Sequence, residues 1–355
     1  MGKENYITIA KAIGISLMVV GHSGCPAILK NFIYYFHMPL FFFCSGYFFH
    51  VPTSASSLLS FCKKRVQGLY IPYIKWSLIF LALHNLFFLC NIYNESYGYE
   101  GHAFTFYSPT DFLKRFLHIV FSMDKQEPLL GGFWFLKTLF ISSLLISCLF
   151  YIQQKLKLKK RVVFLLMALE LWGFKYMNVS IPIIGEVSIH FMGGCIFLMG
   201  FLFHKYEKKY FYGVTITSIT FALLLIFSLS NKELSMFCTF HETLLYLCLS
   251  LCGIIFTFNI SKYIEKIGRG IKRMFYYMGQ NTMIILALHF ICFKVISLLY
   301  ILLNGKDLTL LSSFPTIESI DNTWWIFYSF VGIGLPLLLK YHYDTYLSPL
   351  LNRKR

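Results

Sequence analysis

The chain predicts an all-α, polytopic integral membrane protein of about ten transmembrane helices with both termini cytoplasmic. Three observations lead there. Hydrophobic residues make up 57% of the chain and charged residues only 14%, where soluble domains carry roughly a quarter. Apolar stretches of about 20 residues, the length that crosses a bilayer, recur from one end to the other. The lysines and arginines between those stretches fall mostly on one side, as the positive-inside rule requires.

The first stretch covers 6–23 and contains "KAIGISLMVVGH" at 11–22. Lys3 and the apolar run 12–20 imitate a signal peptide, but Lys11 interrupts the run and no A-x-A cleavage site follows. A retained first helix is the better reading. The next stretches are 31–50, 70–92, 132–153, 162–179, 187–204, 211–230, 236–259, 275–303 and 323–345. The fifth of the ten is the weakest, because it holds Glu170 and Lys175. Residues 111–123, "DFLKRFLHIVFSM", are short and amphipathic and read as an interfacial helix.

Orientation follows from the basic residues. With the N-terminus inside, the inner segments hold Lys3; Lys63, Lys64 and Arg65; the run 155–161; Lys205, Lys208 and Lys209; the run 262–273; and Arg353, Lys354 and Arg355. The outer segments hold only Lys30, Lys114, Arg115, Lys125, Lys232 and Lys306. No internal repeat or long linker divides the chain, so 1–355 is read as a single transmembrane domain without a soluble extra domain.

A net charge of +16 would suggest nucleic acid for a soluble protein. Here the charge sits in short loops and sets topology, and no basic stripe interleaves with exposed aromatics, so nucleic acid is excluded. The ten cysteines lie mostly inside apolar runs and form no paired CxxC motifs, which points to reduced packing residues. No HxxxH or HExxH pair occurs, so no catalytic metal is expected.

Charged and imidazole groups inside spans usually mark function. Eleven residues separate Lys11 from His22; at about 100° each they return to within roughly 20° of one helix face, about 16 Å apart along the axis. His37 lies one to two turns from the outer end of the second stretch, and His289 lies in the outer half of the ninth, with Asn281 deeper. Trp134 and Lys137 open the fourth stretch on the outer side, and His190 and His241 stand at outer helix starts. Several of these groups therefore share one depth. His84 and His118 read as packing residues bonded to backbone carbonyls, and Lys75, Lys175, Lys294 and Lys340 as side chains that snorkel to an interface.

In this order, "KAIGISLMVVGH", "FHMPLFFFCSGYFF", "KKRVQGLYIPYIKW", "WFLKTLF" and "GQNTMIILALHF" resemble the membrane acyltransferase-3 family. The first matches its R/K-x10-H motif, and the set covers nearly the whole chain. The likeness is greatest to the fucose 4-O-acetylase-like branch, whose members decorate bacterial surface polysaccharides and nodulation factors. The chain departs from the family in two places. It ends at "LNRKR" without the fused periplasmic domain of some relatives, and "FHMPLFFFCSGYFF" replaces the Gly-Gly-Val-Asp-like block of another branch.

The resemblance implies an O-acyltransferase acting on carbohydrate. It would move an acyl group, usually acetyl, from cytoplasmic acyl-CoA to a hydroxyl of an extracytoplasmic surface glycan, in the bacterial cytoplasmic (inner) membrane. Acetyl-CoA is then the donor substrate, and no metal is needed. On that reading His22 serves as general base, with His37 and His289 orienting it or the acceptor. Asn281 stabilises the oxyanion, a role worth about 3 kcal/mol. Lys11 meets the donor, Lys63, Lys64 and Arg65 take the CoA phosphates, and Trp134 and Lys137 meet the acceptor. A covalent acyl-histidine intermediate is the alternative to direct transfer. At the level of function, the alternatives are a flippase for a polysaccharide intermediate and a non-catalytic partner in glycan assembly. Oligomeric state is left open by the sequence.

Overall fold

Backbone polar groups in hydrocarbon must be satisfied within their own segment, and a chain this apolar folds accordingly. The computed structural model, 78% helical, describes residues 5–99, 102–207, 211–318 and 323–348. Of the basic residues used for orientation, Lys3, Lys208, Lys209, Arg353, Lys354 and Arg355 lie outside the described residues.

In chain order the helices are α1 (Asn5–His22), α2 (Ala27–Tyr34), α3 (His37–Tyr47), α4 (Ala55–Arg65), α5 (Ile71–Leu89), α6 (Pro109–Ser122) and α7 (Trp134–Lys155). There follow α8 (Arg161–Met177), α9 (Val187–Tyr206), α10 (Val214–Leu229), α11 (Thr243–Lys266), α12 (Arg269–Gln280), α13 (Thr282–Leu303) and α14 (Trp324–His342). Two small antiparallel hairpins supply the only sheet among the described residues: Gly98–Tyr99 with His102–Ala103, and Ser180–Ile181 with Gly185–Glu186.

Seven helical runs among the described residues are long and apolar enough to cross a membrane, and α1 and α10 are shorter apolar helices. The protein is therefore a multi-pass membrane protein. The fifth expected stretch is the exception. It forms α8, 17 residues long, but Arg161, Glu170 and Lys175 keep it out of both groups. Helix α6 exposes Leu113, Phe116, Leu117 and Phe121, the apolar face that an interfacial helix lays into lipid.

Two expected stretches are broken. The second is α2 and α3, with the break at Tyr35 and Phe36. Pro39 explains it: a proline has no N–H to give an i−4 carbonyl, and starting a new helix at His37 places it in a first turn, where no such bond is required. The ninth is α12 and α13, parted at Asn281 (φ −112°, ψ 26°). Asparagine competes for backbone bonds and favours helix ends, and Asn281 Nδ2 donates back to the Tyr277 carbonyl at 2.9 Å. The third stretch is longer than expected. Its helix starts at Ala55 and passes through a π turn, Val66–Tyr70, just ahead of Pro72.

Helix α1 lies against α2, α3 and α11 through α14, so its two polar residues face protein rather than lipid. At one end Tyr6 of α1 and Tyr47 of α3 donate to Glu207 at 3.1 and 2.7 Å. Tyr212 donates as well, and Lys262 of α11 pairs with Glu207 at 3.6 Å. Burial pushes the Glu207 carboxyl up, but the hydroxyls of Tyr212, Tyr47 and Tyr6 and the Lys262 ammonium outweigh it and hold the group below the usual carboxylate range.

Helices α3 and α9 run antiparallel at backbone contact, the arrangement small residues permit in membranes. A Cβ on Gly46 would stand 1.8 Å from the Phe197 carbonyl oxygen, and one on Gly200 2.1 Å from that of Phe43. Backbone cannot step aside as a side chain can. Either Gly→Ala change should therefore destabilise the protein by about 1–3 kcal/mol, the cost of overpacking. A thermal melt in detergent reads this directly; an unshifted midpoint in both variants would contradict the close packing.

Two lysines do not snorkel as expected. Lys175 and Lys294 are buried, with 8% and 4% of their surface exposed. Each finds backbone carbonyls instead: Lys175 Nζ donates to Cys238 O at 2.8 Å and Lys294 Nζ to Ser313 O at 2.6 Å. Lys75 is exposed, and Lys340 pairs with Asp344 at 2.6 Å. His118 is exposed rather than packed, because α6 turns it away from the core.

Candidate active site

His22 is the last residue of α1, and the chain leaves the helix through Gly24, whose φ of +80° is costly for any residue with a Cβ. One residue earlier, a Cβ on Gly21 would lie 2.9 Å from Tyr34 Cε2. The bare glycine lets the Tyr34 ring stand edge-on to the His22 ring, with centroids 6.2 Å apart. On the other side the His289 ring of α13 lies nearly parallel to His22 at 5.6 Å, and Phe290 stands at 5.1 Å. Tyr34 in turn leans on His37 of α3 at 5.0 Å. Three histidines from three helices thus gather around one tyrosine and one phenylalanine.

Their hydrogen bonds differ. His37 Nδ1 donates to the Ile33 carbonyl at 2.9 Å, and His289 Nδ1 to the Leu286 carbonyl at 3.0 Å. A nitrogen that gives its proton to a carbonyl leaves the other as a lone pair, so both rings present Nε2 as an acceptor. His289 Nε2 and His22 Nδ1 are buried without a partner among the described residues. His22 makes no hydrogen bond to the described protein and is held by ring contacts alone. Its nitrogens are thus uncommitted, while its orientation is fixed.

The histidines stand in a run of three cavities. The first, about 420 Å³, is lined by Lys11, Arg65, Ser45, Thr282 and Met283, among others. Met18, Met38 and Leu286 line both it and a second chamber of about 190 Å³, which holds His22, His37, Tyr34, Trp134 and Phe237. A third, about 620 Å³, shares His22, Tyr34, Trp134 and Phe237 with the second and adds Gln126, Phe314 and Pro315. Lys11 and His22 therefore line adjoining cavities that share Met18, Met38 and Leu286.

The expected residues divide. His22, His37, His289 and Trp134 meet, with His289 fully buried behind His22. Lys11 and Arg65 meet in the first cavity, where the Arg65 guanidinium also rests on the Phe61 ring at 4.7 Å. Lys63 and Lys64 are exposed on the last turn of α4 and do not line it. Asn281 stands at the helix break beside the first cavity, not with the histidines, and its amide is engaged with Tyr277. Lys137 donates to the Ile183 carbonyl at 3.0 Å, His190 bonds the Ile184 carbonyl at 3.2 Å, and His241 is exposed. None of these three joins the cluster.

The sequence reading missed what holds the third cavity in shape. Loops complete the wall that its helices begin, and buried polar side chains pin three of them. Lys175 fixes the loop carrying Phe237, and Lys294 the loop carrying Phe314. The third pin is His84, expected to bond a carbonyl and found bonding Thr105 O through Nε2 at 2.9 Å. Its Nδ1 is hydrogen-bonded to Glu127 Oε2 at 2.7 Å, and Tyr107 stacks on the ring at 3.3 Å. Glu127 is fully buried between Gln126 and the turn Pro128–Phe133 that delivers Gly132 and Trp134. One of two acids in a short polar loop, Glu127 gave no sign of this pairing.

The fold and site define a multi-pass membrane protein with adjoining interior cavities, the first lined by a basic pair and the second by histidines. A family model described as an acyltransferase domain matches residues 4–341, and the chain belongs to that family. A search of the curated proteins and a search of the solved structures each gave no match.

Proposed function

We propose that the protein carries an acetyl or similar acyl group from cytoplasmic acyl-CoA to a hydroxyl of a glycan on the far side of the membrane. The observation that carries this reading is the run of cavities joining Lys11 and Arg65 to His22. In this proposal ten spans place both termini in the cytoplasm, in a bacterial inner membrane, and 1–355 works as one domain. The Lys11 end then faces the donor and the His22 end the acceptor. The motif order favours the fucose 4-O-acetylase-like branch.

Donor binding draws on three positive elements. Lys11 and Arg65 line the first cavity, and so do Thr282 and Met283 in the first turn of α13. A helix N-terminus offers unpaired amides and a favourable dipole to an anion, and arginine grips phosphate bidentately. The pantetheine arm extends between Met18, Met38 and Leu286 and brings the thioester toward His22. His22 takes the proton of the acceptor hydroxyl as its oxygen attacks the thioester carbonyl. The C–S bond breaks, the ester forms, and the proton passes to the departing CoA sulfur. Trp134 offers a flat face for the sugar.

Labelled acetyl-CoA and surface glycan supplied to the purified protein in vesicles test the reading; no label in glycan sinks it. Within it, Lys11→Ala should raise the donor KM about tenfold or more, since a charge-assisted contact contributes about 1.5–3 kcal/mol. The acceptor KM should stay unchanged. An unaltered donor KM would remove Lys11 from the donor site.

A further inference from the structure

Beside the third cavity lies a separate polar hollow of about 300 Å³, walled by Lys30 and Asn31 of α2, Tyr34, and the loop from Glu233 to Thr239. Lys30, Tyr34 and Phe237 line both this hollow and the third cavity, so the two are neighbours at the His22 end.

The polar groups here are unequal. Glu242 is satisfied, since it accepts from Thr239 at 2.8 Å and pairs with Lys232 at 3.4 Å. Ser235 accepts from the Phe237 amide at 3.2 Å. Asn31 is different. Only 4% of its surface is exposed, it lines the hollow, and its side-chain amide makes no hydrogen bond among the described residues. The amide opens onto the hollow rather than being sealed in packed protein, so it is free to bond a ligand there. An amide set without a partner against an open polar hollow is the mark of a ligand site. Lys30 adds a donor and the exposed Glu233 an acceptor, and their charges cancel. Tyr34 and Phe237 add flat apolar faces. Donors, acceptors and ring faces in balance suit an uncharged polyhydroxylated ring.

We infer that this hollow is a second sugar subsite. It holds the neutral sugar next to the one acylated at His22, so the acceptor is an oligosaccharide or polymer rather than a single sugar. This rests on the glycan-acceptor reading above. It adds a requirement of length and names Asn31 and Glu233 as the groups that read it.

The test uses fragments of one, two and three sugars released from the surface glycan of the producing cells, with the full chain in vesicles. The wild type should show kcat/KM about tenfold higher for two sugars than for one, the discrimination that one or two hydrogen bonds provide. Asn31→Ala and Glu233→Ala should bring that ratio close to one while one-sugar transfer is unchanged. Glu233 is exposed, so its variant keeps the test open if Asn31→Ala fails to fold. Equal kcat/KM for one and two sugars in the wild type overturns the subsite, as does a variant that lowers both alike. Fragment binding without donor, followed by NMR saturation transfer, separates the two readings. If no fragment is acylated, the transferase reading falls, and the subsite still stands or falls on whether both variants weaken two-sugar binding.

Discussion

Replacing His22 with alanine should lower acyl transfer by about 10²–10⁴-fold, the range over which a positioned general base contributes. The fold should survive the change. His22 makes no hydrogen bond to the described protein, and the ring contacts it loses are worth about 0.5–1.5 kcal/mol each. Its neighbours His37 and His289 are each bonded to their own helix backbone, so they keep their places. His289 is completely buried and lines none of the three cavities, so it is not placed to substitute. The measurement is label transferred to glycan by a variant whose thermal midpoint matches the wild type. Normal transfer by such a variant would remove His22 from the chemistry and favour a transport or assembly role.

Glu127→Ala should destabilise the protein by about 1–3 kcal/mol, the cost of leaving a buried hydrogen-bonding partner unsatisfied. The change leaves His84 Nδ1 without its partner in a fully buried place, and its remaining bond to Thr105 does not compensate. It also opens a gap under Tyr107 and Tyr93, whose rings lie at 3.3 and 5.0 Å from the His84 ring. Glu127→Gln keeps the shape and one hydrogen bond and should cost less than half as much. Because Glu127 precedes the turn that carries Gly132 and Trp134, both variants should raise the acceptor KM more than the donor KM. Thermal unfolding in detergent gives the stability change, and the two KM values give the direction. A Glu127→Ala variant as stable as the wild type would show that the pair is not a support.

Membrane chemistry writes spans plainly into sequence, since about 20 apolar residues have few other uses. Hence nine of the ten expected stretches reappear as apolar helices, and α8 fails where its charges had already weakened it. The shared face of Lys11 and His22 was readable too, because it depends on the period of one helix. Contacts between helices are another matter. No property of "FIYYFHMP" reveals that Tyr34 will stand against His22, and only the bare Gly21 hints that some ring does. Lys175 and Lys294 look like interfacial lysines because their carbonyl partners lie 63 and 19 residues away in irregular loops. The helix breaks at Phe36 and Asn281 are intermediate cases: Pro39 and Asn281 carry the signal, but an unbroken apolar run outweighs it.

That the first two cavities share only apolar lining side chains, Met18, Met38 and Leu286, has a consequence for the cell's energy supply under the proposed function. A water-filled bore linking cytoplasm to exterior would discharge the membrane voltage, at about 2.3 kcal/mol for each elementary charge per 100 mV. Thioether and isobutyl side chains offer no ligand to a proton or a sodium ion, and narrow apolar constrictions exclude water. Methionine is also the most pliable of apolar side chains, which suits the passage of a slender organic chain that the proposed function requires. On the proposed orientation, reagents meet across the bilayer while the bilayer goes on insulating.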